Sequence, residues 1–368
     1  MKKLLFAIVL FHSIFSNAQS ILSGKKTDFT FPAGSWEYIK DPSVYGWNND
    51  ELAELRQYII DSANTTGMMV IQHGKVIFSY GDLQELSYIA SCRKSVLSIL
   101  YGPFVENGKI NLNATLGQLQ IDDLNGLLPI EKKATILNLL TSRSGVYHEA
   151  SYSGDEYAVA PKRGTVVPGS LFLYNNWDFN LAGYLFEKLS GVGIYDAVDS
   201  MIARPLKMED WDKNIQHKDG DTSKSKYLAY PMWFSTRDMA RIGYLMLRQG
   251  QWENRQVVSA NWVRTITAPF TSFEEANKYK TAYYLNGTYL RYFGYGYLWW
   301  IWDTPDNKGV YKGAYTAQGN FGQYITILPA LDVVIAHKTK SEYERYTSNY
   351  LTILSKLIAA NKNDFEKQ

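Results

Sequence analysis

Ser91-Cys92-Arg93-Lys94, running directly into the apolar stretch Ser95-Val96-Leu97-Ser98-Ile99-Leu100, sets a hydroxyl three residues ahead of an amine. If a helix starts there, the two side chains share one face about one turn apart, where the lysine can take the hydroxyl proton. That is the layout of a serine nucleophile with a lysine partner. The pattern S-x-x-K recurs at Ser23 with Lys26 and at Ser223 with Lys226, but those copies lie in polar, loop-like sequence with no apolar helix behind them. Only the copy at Ser91 stands between a strand-like region and a helix, and a motif takes its meaning from such context. Cys92 is the sole cysteine, so no intramolecular disulfide can form. On a helix it points roughly 100° away from Ser91, and it reads as buried packing.

A second cluster is Pro168-Gly169-Ser170-Leu171-Phe172-Leu173-Tyr174-Asn175-Asn176-Trp177-Asp178-Phe179. Tyr174 can present a phenol as acid or base, and Asn176, two residues on, a hydrogen-bonding amide. Tyr284-Leu285-Asn286 matches the same pattern in a chain with 28 tyrosines, but only the first copy has a Pro-Gly turn ahead of it and a helix behind it. The third cluster, Tyr315-Thr316-Ala317-Gln318-Gly319-Asn320-Phe321-Gly322-Gln323, reads as a glycine-punctuated lead-in to a strand. Glycines there allow close backbone approach, which suits an edge strand whose N–H groups face a substrate carbonyl.

The elements that must hold these clusters follow from hydrophobic patterning. Met68 to Gln72 and Lys75 to Tyr80, joined through His73-Gly74, read as an antiparallel hairpin. Tyr295 to Trp302, Gln323 to Leu328 and Asp332 to Ala336 read as three strands, the last two joined by a turn at Pro329-Ala330-Leu331. Glu342 to Ala360 reads as a closing helix. Residues from about 91 to 250 are mostly helical in pattern, including Asn180 to Ser190 and Arg237 to Gln249. The expected fold class is therefore α/β (α+β): an antiparallel sheet built from both chain ends (about 22–90 and 250–361), flanked by helices, with a mostly helical insertion. A site belongs in the cleft where insertion and sheet meet. Trp299, Trp300 and Trp302 read as sheet packing.

With 368 residues, 46% hydrophobic and 20% charged, the chain can bury a sizeable core. A net charge of +2 and a pI of about 8.2, with lysines and arginines dispersed, argue against nucleic acid as a partner. Met1-Lys2-Lys3, the apolar run Leu4 to Phe11 and Ser16-Asn17-Ala18 have the form of a secretory signal over residues 1–18. The run is shorter than the roughly 20 residues that span a bilayer, and no cysteine follows it to accept a lipid. The expectation is an exported protein, periplasmic or secreted, without stable membrane insertion, whose mature domain covers residues 19–368. His73, His148, His217 and His337 show no paired spacing with one another or with acidic residues, so neither a metal site nor a cofactor is expected.

In this order, the three clusters resemble the serine β-lactamase and penicillin-recognising superfamily, closest to the class C β-lactamase-related esterases and the 6-aminohexanoate-dimer hydrolases. Gly108-Lys109-Ile110-Asn111-Leu112, Thr135 to Thr141 with Ser144-Gly145, Pro205-Leu206-Lys207-Met208 and Ser235 to Arg241 look like that family's structural signatures. The resemblance implies a β-lactamase/transpeptidase-like fold. It makes Ser91 the acyl-accepting nucleophile, Lys94 its proton partner, Tyr174 the acid or base and Asn176 an orienting group, and it puts Tyr147-His148 at the cleft. A lysine ordinarily protonated at neutral pH can act as base if desolvation or nearby positive charge lowers its pKa, and a tyrosine beside it can be held partly as phenolate. The two can share one proton, so the base is the pair. The Ser91 N–H would serve an oxyanion, with a second N–H from Asn320 or, next, Gly319.

One departure matters. Penicillin-directed members carry Lys-Thr-Gly or His-Thr-Gly on the last cluster's strand, where the cation holds the substrate carboxylate. Here the stretch reads Ala317-Gln318-Gly319-Asn320. The weight moves to a small-molecule ester or short amide substrate, with β-lactamase or D-amino-acid peptidase activity and a non-catalytic binder of cell-wall fragments as the alternatives. A Ser-His-Asp hydrolase would want a G-x-S-x-G elbow, and the chain has none. Specificity is expected in the loops around 147–165 and 265–292.

Overall fold

His73 and Gly74 both take positive φ (53° and 83°), the geometry of a two-residue turn whose twist matches the strands it joins. It links β2 (Thr65–Gln72) to β3 (Lys75–Gly81) as an antiparallel hairpin, with β1 (Glu37–Tyr38) parallel to β3 on its far side. The computed structural model describes residues 29–152, 160–277, 293–304, 308–340 and 349–362, and the unit described below begins at Phe31. The signal-like segment 1–18 lies outside the described residues. From the other end of the sequence come β4 (Phe293–Tyr295), β5 (Trp300–Trp302), β6 (Tyr315–Gly319), β7 (Gln323–Leu328) and β8 (Val333–Thr339). They complete an eight-stranded, mainly antiparallel sheet in the order β1-β3-β2-β8-β7-β6-β5-β4. The sheet drawn from both chain ends is thus observed, and its seam is β8 against β2, with Val333 opposite Gln72 and Ile335 opposite Val70.

Both faces are covered, so the inner strands are apolar on both sides. Met69 and Ile71 pack with Val96, Leu97 and Leu100 of α2 (Cys92–Glu106) and with Met239, Ile242 and Met246, while Met68 and Val70 pack with Leu52, Leu55 and Ile59 of α1 (Asn49–Ser62). Each such fully buried side chain contributes about 1.5–3 kcal/mol. Between the two halves of the sheet the chain forms α3 (Asn176–Ser190) and α4 (Thr236–Leu247), and after β8 it forms α5 (Tyr350–Ala359). Helix α4 lies directly on the sheet at Gly243, where a Cβ would stand 2.4 Å from Val334 Cγ1 and 2.9 Å from Ile325 Cγ2. Among the described residues no helix is long and apolar enough to cross a membrane.

Three expectations are corrected. The run Tyr295 to Trp302 is two short strands with a reverse turn between them, Leu298 taking φ 63°. The turn's polar groups are satisfied outside the sheet: Tyr297 N–H donates to Ile266 O, Leu298 N–H to Leu140 O, and Leu298 O accepts from Ser95 Oγ. An apolar run does not distinguish a strand from a buried turn. Tyr315–Gly319 is itself a strand, reversing through Asn320–Gly322 into β7, and is not a lead-in. The closing helix begins at Tyr350, and residues 342–348 of the expected span lie outside the described residues.

Candidate active site

Ser91 is the residue at which the chain enters α2. Ala90 ahead of it has φ 48°, a conformation seldom taken by a residue with a Cβ, and Ser91 itself is already helical (φ −74°, ψ −7°). The side chain makes no capping bond to the helix. The N–H groups of Cys92, Arg93 and Lys94 are taken by Ile89 O, Ala90 O and Ser91 O, whereas the Ser91 N–H donates in none of the backbone bonds seen among the described residues. A partly exposed hydroxyl with its own N–H beside it therefore stands at the positive end of a 15-residue helix.

The turn that aims Ser91 is held from below. Lys338 on β8, 1% exposed, donates to Glu85 O and Phe234 O at 2.7 Å each, tying the sheet to the short ladder Ser87–Tyr88 with Trp233–Phe234 that precedes Ser91. Burial pushes its ammonium down to about 8. Cys92 Sγ donates to Gln323 O at 3.3 Å, and burial raises its thiol far above the ordinary range. It is packing, as its helical direction predicts, and too costly to ionise to serve as a nucleophile.

One turn into the helix, Lys94 is 1% exposed. Its Nζ donates to Tyr174 Oη at 2.7 Å and to Asn176 Oδ1 at 2.7 Å. The ammonium also stands 4.3 Å from the Tyr174 ring centre and 4.1 Å from that of Phe179. Both partners reach Lys94 from the start of α3, which is cradled by residues 142–146. Ser142 Oγ donates to Leu173 O and accepts from Asn175 N–H, Ser144 Oγ donates to Asp178 Oδ1, and Asn175 Nδ2 donates to Val146 O. Trp177 Nε1 is anchored on Asp123, which also accepts from Ser225 Oγ and from the N–H groups of Leu124 and Lys226. Beyond Tyr174, the indole of Trp300 stacks on the phenol ring at 5.3 Å and 23°.

The end of β6 closes the opposite side. A Cβ on Gly319 would stand 2.4 Å from Ile89 O and 3.1 Å from Ala90 Cβ, so this strand touches the turn that carries Ser91, and only the absence of a side chain lets it. β5 pairs with β6 at Tyr315 and Thr316, so that among the described residues the last residues of β6 have no strand partner on that side. Ala314 O accepts from Trp302 N–H across this ladder, so by strand alternation the polar groups of Thr316 and Gln318 face the same way. Gly319 is extended (φ −120°, ψ 147°), and carrying the alternation through it turns the Asn320 N–H to the open side too. Gly319 thus supplies the close approach and Asn320 the outward N–H. The Asn320 side chain is spent locally, its Oδ1 accepting from Phe321 N–H.

Ser91, Lys94, Tyr174, Asn176 and the Gly319-Asn320 corner are brought to one place. His148 is not available to it: its ring nitrogens lie 2.8 Å from Glu149 O and 2.8 Å from Leu124 O, with Asp123 Oδ2 3.6 Å from Nδ1. It is 6% exposed and locks a loop. Of the three tryptophans read as packing, Trp299 and Trp302 are buried, and Trp300 is half-buried against Tyr174. The Phe179 ring is the part that sequence reading left unassigned, five residues past Tyr174 in the same cluster, and Trp300, read as packing alone, packs on the candidate acid or base itself. Of the loops expected to set specificity, 153–159 and 278–292 lie outside the described residues.

A family model described as Beta-lactamase matches residues 55–357. An uncharacterised protein of Alkalihalophilus pseudofirmus is 24% identical over 288 residues, covering 73% of this chain and 78% of its own. Among solved structures, a Bacillus anthracis protein named after 6-aminohexanoate-dimer hydrolase aligns with a TM-score of 0.61 at 19% identity, over 85% of this chain and 82% of that one. A penicillin-binding protein homologue from Caulobacter crescentus aligns at 0.60 and 13% identity, over 89% and 98%. EstCE1, described as a hydrolase with promiscuous acyltransferase activity, aligns at 0.59 and 13% identity, over 85% and 98%.

Proposed function

The chain belongs to the beta-lactamase family, a family of serine hydrolases, and we propose that within it this protein cleaves an ester or a short amide through an acyl-enzyme on Ser91. The observation that carries this reading is the clamp on Lys94: a buried amine one helical turn from Ser91, held at 2.7 Å by a phenol and at 2.7 Å by an amide oxygen. Neither of those partners is a carboxylate.

In this reading Ser91 Oγ attacks the substrate carbonyl carbon while its proton passes to the Lys94–Tyr174 pair. The Ser91 N–H and the Asn320 N–H receive the oxyanion that forms. When the intermediate collapses, the alcohol or amine leaves with the proton returned by the pair, and the acyl group stays on Ser91. Water then repeats the sequence with the roles reversed, the pair taking its proton and returning one to Ser91 Oγ. The corner of β6 carries no cation, since Ala317, Gln318, Gly319 and Asn320 are all uncharged, which favours substrates without a carboxylate at that position. The signal-like pattern of residues 1–18 supports export from the cytoplasm as part of this reading.

The test is intact mass after a fluorophosphonate probe, on wild type and Ser91→Ala, beside hydrolysis of a short-chain p-nitrophenyl ester and of nitrocefin. A mass adduct and ester turnover, both lost in Ser91→Ala with nitrocefin untouched, is the expected result. Rapid nitrocefin turnover would overturn the substrate class. No adduct and no turnover in wild type would overturn the enzyme reading in favour of a binding protein.

A further inference from the structure

The residue between the nucleophile and its lysine is also a cation, and it is buried. Arg93 is 2% exposed. Its Nη1 donates to Ala90 O at 3.2 Å, its guanidinium lies 5.2 Å from the Tyr230 ring centre, and its Nε has no hydrogen-bond partner among the described residues. No carboxylate pairs with it there. A buried guanidinium cannot shed its proton and normally has an acidic partner, because the desolvation cost is otherwise uncompensated.

What surrounds it is phenolic. Tyr88 from the ladder before Ser91, Tyr152 from the loop after residue 143, Tyr174 from the lead into α3, and Tyr230 from the segment before Trp233 all act on its charge. Tyr195 feels it as well. Burial works against the Arg93 charge, and negative charge on a neighbouring phenolate supports it, Tyr88 and Tyr230 ahead of Tyr174 and Tyr152, with a net upward shift. Among the carboxylates around these phenols, Asp219 acts on Tyr88, Glu187 acts on Tyr195 while paired with Lys218, and the buried Asp178 of α3 acts on Tyr147 and Tyr295. On its own helix its titratable neighbours are Cys92, un-ionised, and Lys94.

We propose that Arg93 is a positioning residue for charge: its guanidinium keeps the Lys94–Tyr174 pair short of one proton, so that the pair is ready to accept the Ser91 proton. The argument does not depend on which partner holds the remaining proton. Fully protonated, the pair carries +1, and with one proton gone it carries zero. A fixed positive charge on the residue next to Lys94, with both side chains buried and Arg93 acting on Tyr174, disfavours the first state and leaves the second nearly untouched. The motif thus brings its own base-activating charge.

The inference rests on the serine-hydrolase reading, and its test separates the two. The rate of acylation by the fluorophosphonate is measured against pH for wild type, Arg93→Gln, Arg93→Lys and Tyr152→Glu, with a thermal melt of each. Tyr152 is 40% exposed, so the glutamate supplies a carboxylate near Arg93 from the rim without disturbing the core. Expected is an acid limb moved up by about one pH unit, hence about tenfold slower on the limb, in Arg93→Gln and in Tyr152→Glu. The high-pH plateau stays within a few-fold, and Arg93→Lys keeps the wild-type limb. If Arg93→Gln does not fold, Tyr152→Glu alone decides. A limb that stays put, or rates that fall in parallel at every pH, would overturn the proposal and leave the hydrolase reading standing. Failure of wild type to be acylated at any pH would overturn both.

Discussion

Adding one methyl group at Gly319 tests the contact on which the site's closure depends. The backbone there (φ −120°, ψ 147°) is open to any residue, so the cost of Gly319→Ala is spatial alone. The new Cβ would stand 2.4 Å from Ile89 O, 2.8 Å from Gln323 Cβ and 3.1 Å from Ala90 Cβ. The first obstacle is main chain, in a turn whose next residue already sits at φ 48°, so β6 and the Ser91 turn must part. Overpacking of this kind costs roughly 1–3 kcal/mol, a fall of about 1–4 °C in Tm for a domain of this size. The effect on chemistry should be larger than the effect on stability. A misplacement of about 1 Å between nucleophile and oxyanion donors costs on the order of 100-fold. Fluorophosphonate acylation, measured at a temperature where the variant is fully folded, reads that loss directly. Gly34→Ala, whose Cβ would meet nothing within 4 Å, is the control and should match wild type in both measurements. A Gly319→Ala protein with wild-type Tm and wild-type acylation rate would refute the close approach of β6 to Ser91.

Lys94→Ala and Tyr174→Phe should each slow acylation by about 10²–10⁴-fold, with melting curves showing whether the fold survives; rates within tenfold of wild type would remove the pair from the chemistry. Lys338 predicts a pH effect on stability. With its folded-state value near 8 against 10.5 for the free side chain, the unfolded chain binds more protons between those values, so stability rises with pH across that window, by about 3 kcal/mol in total. Denaturant melts at pH 7.5 and pH 10 should show this rise in wild type relative to Lys338→Met, and equal pH slopes would contradict it. Asp123→Ala strands the donors of Trp177, Leu124 and Lys226 and should cost at least about 3 kcal/mol in urea melts; a loss below about 1 kcal/mol would mean that water replaces the carboxylate. Trp300→Ala removes the ring stacked on Tyr174 and should slow ester turnover more than it lowers Tm, a ranking that a reversed result would refute.

The grouping of Lys94 with Tyr174 and Asn176 was readable because the candidate site sits in local sequence. Ser91 and Lys94 are one helical turn apart, and Tyr174 and Asn176 belong to one short cluster, so spacing and flanking pattern sufficed. The hairpin at His73-Gly74 was readable for the same reason. What could not be read is what depends on contacts distant in sequence. The turn at Leu298 exists because Leu140, Ile266 and Ser95 satisfy its polar groups, and nothing in Tyr295 to Trp302 announces them. His148 lies next to the signature Ser144-Gly145, and only its ring partners Leu124 O and Glu149 O assign it to loop packing. Arg93 stood in plain sight within the first motif, but its meaning comes from burial among tyrosines drawn from four separate segments.

The seam between β2 and β8 has a consequence for how the protein comes into being. It joins parts of the chain as far apart as Thr65 and His337, 272 positions in sequence and bonded at 2.8 Å. During synthesis the nucleophile motif therefore emerges long before the strands that complete its surroundings, and α2 has no finished sheet to lie on until nearly the whole chain has been made. Contacts this distant pay their loop-closure cost before they return any stability. A chain cut short ahead of β6 would hold Ser91, Lys94 and Tyr174 in full and still lack the wall that meets Ile89. Ser91 thus acquires its full surroundings last, when β8 closes on β2.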